Sequence, residues 1–241
     1  MLKGRTIVIT GAARGLGREI ALACSAAGAS LVLADIDEVG AGETAAACGG
    51  AAVARVDLRD PASIEAFAAS LNGPVNGLVN NGAVATGIGG IAFDAIDIDT
   101  WDRVMETNVR GTWLMTRALT PKLAASRGRI VNVASDTALW GAPNLLSYTA
   151  SKGAVMAMTR SLARELGSKG VGITAIAPGI LTTESTDYVP EARHRLYEDG
   201  RAVPGKQPPE DVTGTVVFLL TESALTLTGQ VLPTNRGFVF T

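Results

Sequence analysis

Short runs rich in β-branched residues alternate along the whole chain with longer stretches of helical periodicity, which leaves few folds open. The runs lie at residues 6–10, 30–34, 52–56, 77–80, 129–134 and 172–177, with a last one at 230–233. Strands separated by helices pair in parallel and are covered on both faces. The expectation is therefore an α/β fold, a doubly wound parallel sheet of about seven strands flanked by helices. Composition agrees: 47% of residues are hydrophobic but only 5% aromatic, so Ala, Val, Leu and Ile must build the core. No repeat, low-complexity tract or composition break divides the 241 residues, which read as a single domain over 1–241.

Helix signals set the spacing between these runs. The first helix is expected over about 15–27, with Leu16, Ile20 and Ala23 or Ala27 on one face and Gly28 as its stop. A longer helix begins near Thr100, capped by Asp99 or Thr100, with Trp101, Val104, Met105, Val109, Trp113 and Leu114 at helical spacing. Another runs over about 147–166 and ends at Gly167. Residues 182–209 hold four of the ten prolines (Pro190, Pro204, Pro208, Pro209) and scattered charges, and read as a mobile, loop-like lid.

Several function classes fall away. Lys and Arg number 21 against 23 Asp and Glu, which supplies no basic field for nucleic acid or an anionic membrane. The apolar run at 6–10 is too short for a signal-peptide core, and no stretch approaches the roughly 18 apolar residues of a membrane span. Two cysteines, Cys24 and Cys48, cannot build a disulfide framework or a Cys-based zinc site, which fits a reducing, cytoplasmic setting. His194 is the only histidine, so serine-histidine triads and histidine metal clusters are excluded and no metal is expected.

Chemistry enters at the first strand-to-helix junction. Thr10-Gly11-Ala12-Ala13-Arg14-Gly15-Leu16-Gly17 places three glycines where a backbone turns sharply and can approach a pyrophosphate, with helix N-terminal amides facing the anion. The Gly-x-x-x-Gly-x-Gly spacing departs from Gly-x-Gly-x-x-Gly, and glycines alone also serve ordinary turns. Asp35 ends the second strand 18 positions past Gly17, where a carboxylate takes adenosine ribose hydroxyls. Tyr148 and Lys152 stand at i and i+4, on one helix face. A free phenol titrates near pH 10, and a neighbouring ammonium favours the phenolate, so Tyr148 can act as general acid/base. Ser135 ends the fifth run, at the carboxyl edge where open α/β sheets place ligands.

Together, the glycine loop, the Asn80-Asn81 pair, Ser135, Tyr148-x-x-x-Lys152 and Pro178-Gly179 stand in the order of the short-chain dehydrogenase/reductase family, which the chain resembles over essentially its whole length. The resemblance implies that Tyr148 exchanges a proton with the substrate oxygen and that Ser135 positions that oxygen. Lys152 would hold the nicotinamide ribose and lower the tyrosine pKa, and Asn108 would support a water relay to the lysine. It further implies that Gly11, Arg14, Gly15, Leu16 and Gly17 form the pyrophosphate loop, that Asp57 and Leu58 border the adenine, and that Asn80 borders the cofactor ribose. Pro178, Gly179, Ile180 and Thr182 would lie at the nicotinamide. Departures are the order Asn80-Asn81-Gly82-Ala83 in place of Asn-Asn-Ala-Gly, Thr174 for a usual asparagine, and Asn235-Arg236-Gly237 where Asp-Gly-Gly is common.

The function so implied is hydride transfer between NAD and a small to medium secondary alcohol or ketone. NAD is expected over NADP because Asp35 would repel a 2′-phosphate and Ile36 offers no cation. Arg14 is the counter-signal, which an Asp35 partner can neutralise. Ser135, Trp140, Leu145, Tyr148 and Tyr188 are the expected substrate contacts. The alternative is an NADPH-dependent 3-oxoacyl-carrier-protein reductase, suggested by Arg193, His194, Arg195, Arg201 and Lys206 in the lid, although acidic residues interleave with them. A non-catalytic relative would be expected to lack Tyr148 or Lys152. The resemblance also implies a homotetramer, with the helices of Trp113 and Met156 at one interface and Phe238-Val239-Phe240 at another.

Overall fold

The structure, a computed structural model, describes residues 1–241. The chain runs β1 (Thr6–Thr10), α1 (Gly15–Ala26), β2 (Ser30–Asp35), α2 (Glu38–Ala47), β3 (Ala52–Arg55), α3 (Pro61–Ser70) and β4 (Gly77–Asn80). Then follow α4 (Ile98–Met105), a π-helical turn (Glu106–Gly111), α5 (Thr112–Ala125), β5 (Arg129–Val133), α6 (Thr137–Trp140), α7 (Leu146–Gly167) and β6 (Gly172–Pro178). The last elements are α8 (Glu191–Gly200), α9 (Glu210–Leu219) and β7 (Val231–Thr234). No helix is long and apolar enough to cross a membrane.

All seven strands pair in parallel in the order β3-β2-β1-β4-β5-β6-β7. The order reverses between β1 and β4, which opens a crevice at their carboxyl ends. Alternation along each strand sends side chains to two separate cores. Ile7, Ile9, Leu31 and Leu33 pack with Ile20 of α1 and Val216 of α9, whereas Val8, Leu78 and Ile130 pack with Ile64, Met115 and Leu119. Burial on both faces explains why the strands read as continuous apolar runs.

Helix ends follow local chemistry. Gly28 has φ 92°, and Gly28 N and Ala29 N donate back to Ser25 O and Cys24 O, so α1 closes where the sequence places its stop. The helix expected from Thr100 starts earlier. Asp97 is its cap, accepting Thr100 N at 2.8 Å, because a capping carboxylate bonds the amide three residues on, and Thr100 supplies that amide. The periodicity then continues through the π turn into α5, so one long amphipathic stretch contains two α-helices and an inserted residue's worth of distortion.

Residues 182–209 are not all loop: a 3₁₀ turn (Glu184–Thr186) and the ten residues of α8 lie within them. Pro190 stands immediately before α8 and Pro204 beyond its end, so these prolines bound a helix rather than forbid one. Two of the expected interface residues are occupied inside the protomer. Met156 is 4% exposed, packed with Val155 and Ala175, and Phe238 stacks on Tyr197 at 4.2 Å between ring centres. Trp113 and Phe240 remain at the surface.

Candidate active site

A cleft of about 420 Å³ opens at the crevice where the strand order reverses. Its first wall is the β1 to α1 turn, and the glycines there answer to the protein's own backbone. A Cβ on Gly17 would lie 1.9 Å from Gly11 O and 2.5 Å from Asn81 Nδ2; one on Gly11 would lie 2.6 Å from Gly82 Cα. Asn81 Nδ2 donates to Thr10 O at 3.1 Å and Gly11 O at 2.9 Å, while Thr10 Oγ1 accepts from Asn81 N and Gly82 N. Three segments therefore meet at hydrogen-bond distance. The order Asn80-Asn81-Gly82-Ala83 fits this meeting, because a Cβ on Gly82 would strike Leu58 Cδ1 at 2.7 Å.

Gly11, Arg14, Leu16 and Gly17 line the cleft, as do Asp35, Asp57 and Leu58. The Asp35 carboxylate is fixed by two backbone amides, Ala13 N on Oδ2 and Asp37 N on Oδ1, both at 2.9 Å. Arg14 forms no ion pair with Asp35 or any other carboxylate, so its charge stays available to the cleft. Gly15 lies just outside the lining, its N donating to Glu184 Oε1 at 3.3 Å.

On the opposite side stand Ser135, Tyr148, Lys152, Pro178 and Gly179. Ser135 follows β5, and its Oγ accepts from Thr137 N at 3.3 Å and from Thr137 Oγ1 at 3.0 Å, which leaves its own proton to donate. Tyr148 sits in the first turn of α7 with Lys152 one turn on. Lys152 is 4% exposed, its Nζ donating to Val133 O at 2.7 Å and lying 5.5 Å from the Tyr148 ring centre. Burial pushes the ammonium down to about 8. Burial also pushes the Tyr148 phenol up to about 12; hydrogen bonding with Ser135 pulls it back, and the Tyr188 and Asp136 charges add to the rise. The expected depression of Tyr148 by the ammonium is thus absent in this arrangement, because desolvation of the phenolate outweighs it.

Asn108 stands behind the wall rather than in it. Its Oδ1 accepts Val84 N at 2.7 Å, and its Nδ2 donates to Val84 O and to Ser151 Oγ, each at 3.1 Å. Ser151 Oγ in turn donates to Tyr148 O at 2.7 Å. The amide thereby ties the cleft floor to the turn of α7 that carries Tyr148, and it makes no bond to Lys152. Thr107, its neighbour in the π turn, lines the cleft with a buried hydroxyl that has no partner in the protein.

Besides Gly15, six expected contacts are not brought to the cleft. Asn80 points into the interior, Nδ2 donating to Thr116 Oγ1 and Asn132 Oδ1, and Asn81 takes the cleft side. Counting in twos from Leu78, which faces α5, places Asn80 on the same side, so the alternation carried the signal. Ile180 and Thr182 flank Leu181, which does line the cleft; Ile180 O is held by Arg201, and Thr182 is bonded to Gln207 O. Trp140 is taken up by Tyr197 and Phe238, with ring centres 6.2 and 5.7 Å away. Leu145 packs beside Gly89, and the Tyr188 hydroxyl donates to Ala85 O at 2.6 Å, at the rim.

A family model described as "Enoyl-(Acyl carrier protein) reductase" matches residues 11–239. The chain belongs to the short-chain dehydrogenase/reductase family. A 2-(S)-hydroxypropyl-CoM dehydrogenase from Xanthobacter autotrophicus is 36% identical over 254 residues, covering 98% of this chain and 97% of the relative. A sorbitol dehydrogenase from Cereibacter sphaeroides is 36% identical over 259 residues, covering 98% of each. A crystal structure described as a short-chain alcohol dehydrogenase from Sinorhizobium meliloti superposes with a TM-score of 0.91 at 29% identity, covering 98% of this chain and 97% of that one.

Membership in the short-chain dehydrogenase/reductase family implies a nicotinamide dinucleotide, and the cleft residues fit one. The first amides of α1 can meet a diphosphate, the fixed Asp35 carboxylate can accept ribose hydroxyls, and the unpartnered Thr107 hydroxyl and the Lys152 ammonium can meet polar groups farther in.

Proposed function

We propose that this protein is a cytoplasmic, homotetrameric NAD-dependent oxidoreductase that moves hydride between nicotinamide and a small to medium secondary alcohol or ketone. The observation that carries this reading is the convergence of Ser135, Tyr148 and Lys152 in one cleft that has Asp35 at its other end. Bound nicotinamide supplies the hydride acceptor or donor. In oxidation the Tyr148 phenolate takes the carbinol proton as the C–H electron pair leaves, and in reduction the phenol returns it. Ser135 donates its free proton to the substrate oxygen, Lys152 holds the ribose, and Asn108 keeps α7 in register through Ser151. The relatives' names, a hydroxypropyl-CoM dehydrogenase and a sorbitol dehydrogenase, support a CH–OH group as the reacting centre.

Residues 182–209 act as the substrate lid in this reading, and its cations are largely spoken for. Arg195 pairs with Glu191, Arg193 lies over the Trp140 ring and donates to Pro143 O, and Arg201 donates to Ile180 O and Gly205 O. That favours an uncharged substrate over a phosphopantetheine. A kinetic panel tests both points: secondary alcohols and ketones with NAD(H) should surpass acetoacetyl thioesters with NADPH, and NAD should exceed NADP about tenfold or more in kcat/KM. Like charges 4 Å apart cost about 4 kcal/mol at an effective dielectric near 20, which exceeds that preference. Equal or better use of NADP would mean that Arg14 outweighs Asp35, and thioesters leading by tenfold would overturn the substrate class.

The direction of the Tyr148 shift sets a pH dependence. Burial stabilises the neutral phenol, so reduction, which needs the proton present, should be fastest near neutral pH. Oxidation, which needs the phenolate, should climb steadily from pH 7 to about 10. Profiles of kcat/KM in both directions check this; an oxidation rate that falls across that range would remove Tyr148 as the base.

A further inference from the structure

Ser135 is followed by a carboxylate that the fold buries completely. Asp136 is 0% exposed and pairs with no cation. Its Oδ1 accepts the Tyr197 hydroxyl at 2.7 Å and its Oδ2 accepts Asn235 Nδ2 at 3.1 Å. The two donors come from distant segments, α8 and the stretch after β7. The Tyr197 oxygen also accepts Trp140 Nε1 at 3.1 Å, so a single hydroxyl joins the carboxylate to α6. Directly above lies Gly179 of the cleft lining: a Cβ there would come within 3.0 Å of Asp136 Oδ2, 3.1 Å of Tyr197 Cε1 and 3.2 Å of Asn235 Cβ.

A buried charge held only by neutral donors is costly, and apolar residues of similar volume would join the same segments at less expense. Adhesion alone therefore does not call for a carboxylate here. What the carboxylate adds is direction: two acceptor oxygens fix the Tyr197 hydroxyl and the Asn235 amide at set angles, one residue from Ser135. We infer that Asp136 is a positioning residue, whose carboxylate clamps α8 and the segment after β7 onto the loop carrying Ser135 and so sets the placement of Ser135 and Gly179 in the cleft. This rests on the proposed function only in taking Ser135 and the cleft as the place where the alcohol reacts.

The surroundings give the clamp a titratable signature. Burial pushes the Asp136 carboxyl up to about 6, against hydrogen bonds from Tyr197 and Asn235 and the charge of Arg201. The groups facing it are Tyr197 and Arg201 from the α8 side, Trp140 from α6, Tyr148 from α7 and Asn235 beyond β7, and Arg201 is the one cation among them. Its guanidinium is spent on Ile180 O and Gly205 O.

The test uses the full-length chain with Trp101→Phe and Trp113→Phe, which leaves Trp140 as the sole tryptophan of the three. Trp140 fluorescence followed from pH 8 to pH 5 should show a transition with its midpoint near about 6. The transition should vanish in Asp136→Asn and in Tyr197→Phe. With the best alcohol of the kinetic panel, each of these variants should raise KM about tenfold while kcat and dinucleotide affinity stay within about threefold, and the double variant should be no worse than the poorer single one. Should Asp136→Asn fail to fold, Tyr197→Phe carries the same comparison. A transition that persists in the variants, or a KM left unchanged, overturns the clamp. If no alcohol in the panel is turned over, the proposed function falls, and the fluorescence titration still decides the clamp by itself.

Discussion

Replacing Tyr148 with phenylalanine is expected to lower turnover by about 10² to 10⁴, the usual contribution of a positioned acid/base, while the fold and dinucleotide binding persist. The ring that fills the cleft wall remains, and the hydroxyl it loses faces Ser135 and the cleft rather than a structural partner. The other titratable groups nearby are held elsewhere: both Asp136 carboxylate oxygens accept from Tyr197 and Asn235. His194 is the only histidine and lies on α8, with its Nε2 near Thr186 O, and Lys152 Nζ is directed to Val133 O. The measurement is kcat with the best alcohol, alongside dinucleotide affinity and thermal midpoint for the same variant. A turnover within a few-fold of the parent would remove Tyr148 from its role, whereas a loss of dinucleotide affinity equal to the loss of kcat would make it a binding residue.

How far the site was legible depended on whether a residue's role is local. Ser135, Tyr148 and Lys152 are fixed by two rules that need no tertiary knowledge: strand ends face the crevice, and i, i+4 residues share a helix face. The parallel sheet needed only the alternation of runs, and observed strands differ from the expected ones by a single residue at one end for 30–34, 52–56, 129–134 and 172–177 and at both ends for 230–233. Legibility failed where a second chain segment decides the outcome. Trp140 and Leu145 are apolar residues beside the serine and read as pocket walls, yet Tyr197 and Phe238 arrive from the far end of the chain and occupy Trp140. Asp136 reads as an ordinary polar residue after a strand until Tyr197 and Asn235 are seen to end on it. Asn108 lies between these cases: the resemblance singles it out, but its place in a π turn and its partners Val84 and Ser151 are set by packing.

The glycine loop has a second reason for its glycines, inside the chain. Sequence assigns these glycines to the close approach of a pyrophosphate, but the tightest contact at Gly17 is with the chain itself. A methyl group there would meet Gly11 O at 1.9 Å and Asn81 Nδ2 at 2.5 Å, and a backbone oxygen cannot rotate away as a side chain can. Gly17→Ala must therefore displace the start of α1 and break the Asn81 bonds to Thr10 O and Gly11 O. Overpacking in a tight site costs about 1 to 3 kcal/mol and at times more, and for a domain of this size each kcal/mol lowers the thermal midpoint by roughly 2 to 4 °C. Because the displaced amides are those that would face the diphosphate, dinucleotide affinity should fall about a hundredfold or more, equivalent to about 2.7 kcal/mol. Gly42→Ala in α2 is the matched control. It meets nothing within 4 Å, so the same added methyl should raise stability by about 0.5 to 1 kcal/mol through helix propensity and leave binding unchanged. The two variants should thus move the midpoint in opposite directions, and a Gly17→Ala protein as stable and as tightly binding as Gly42→Ala would show that the three segments do not meet as closely as this loop requires.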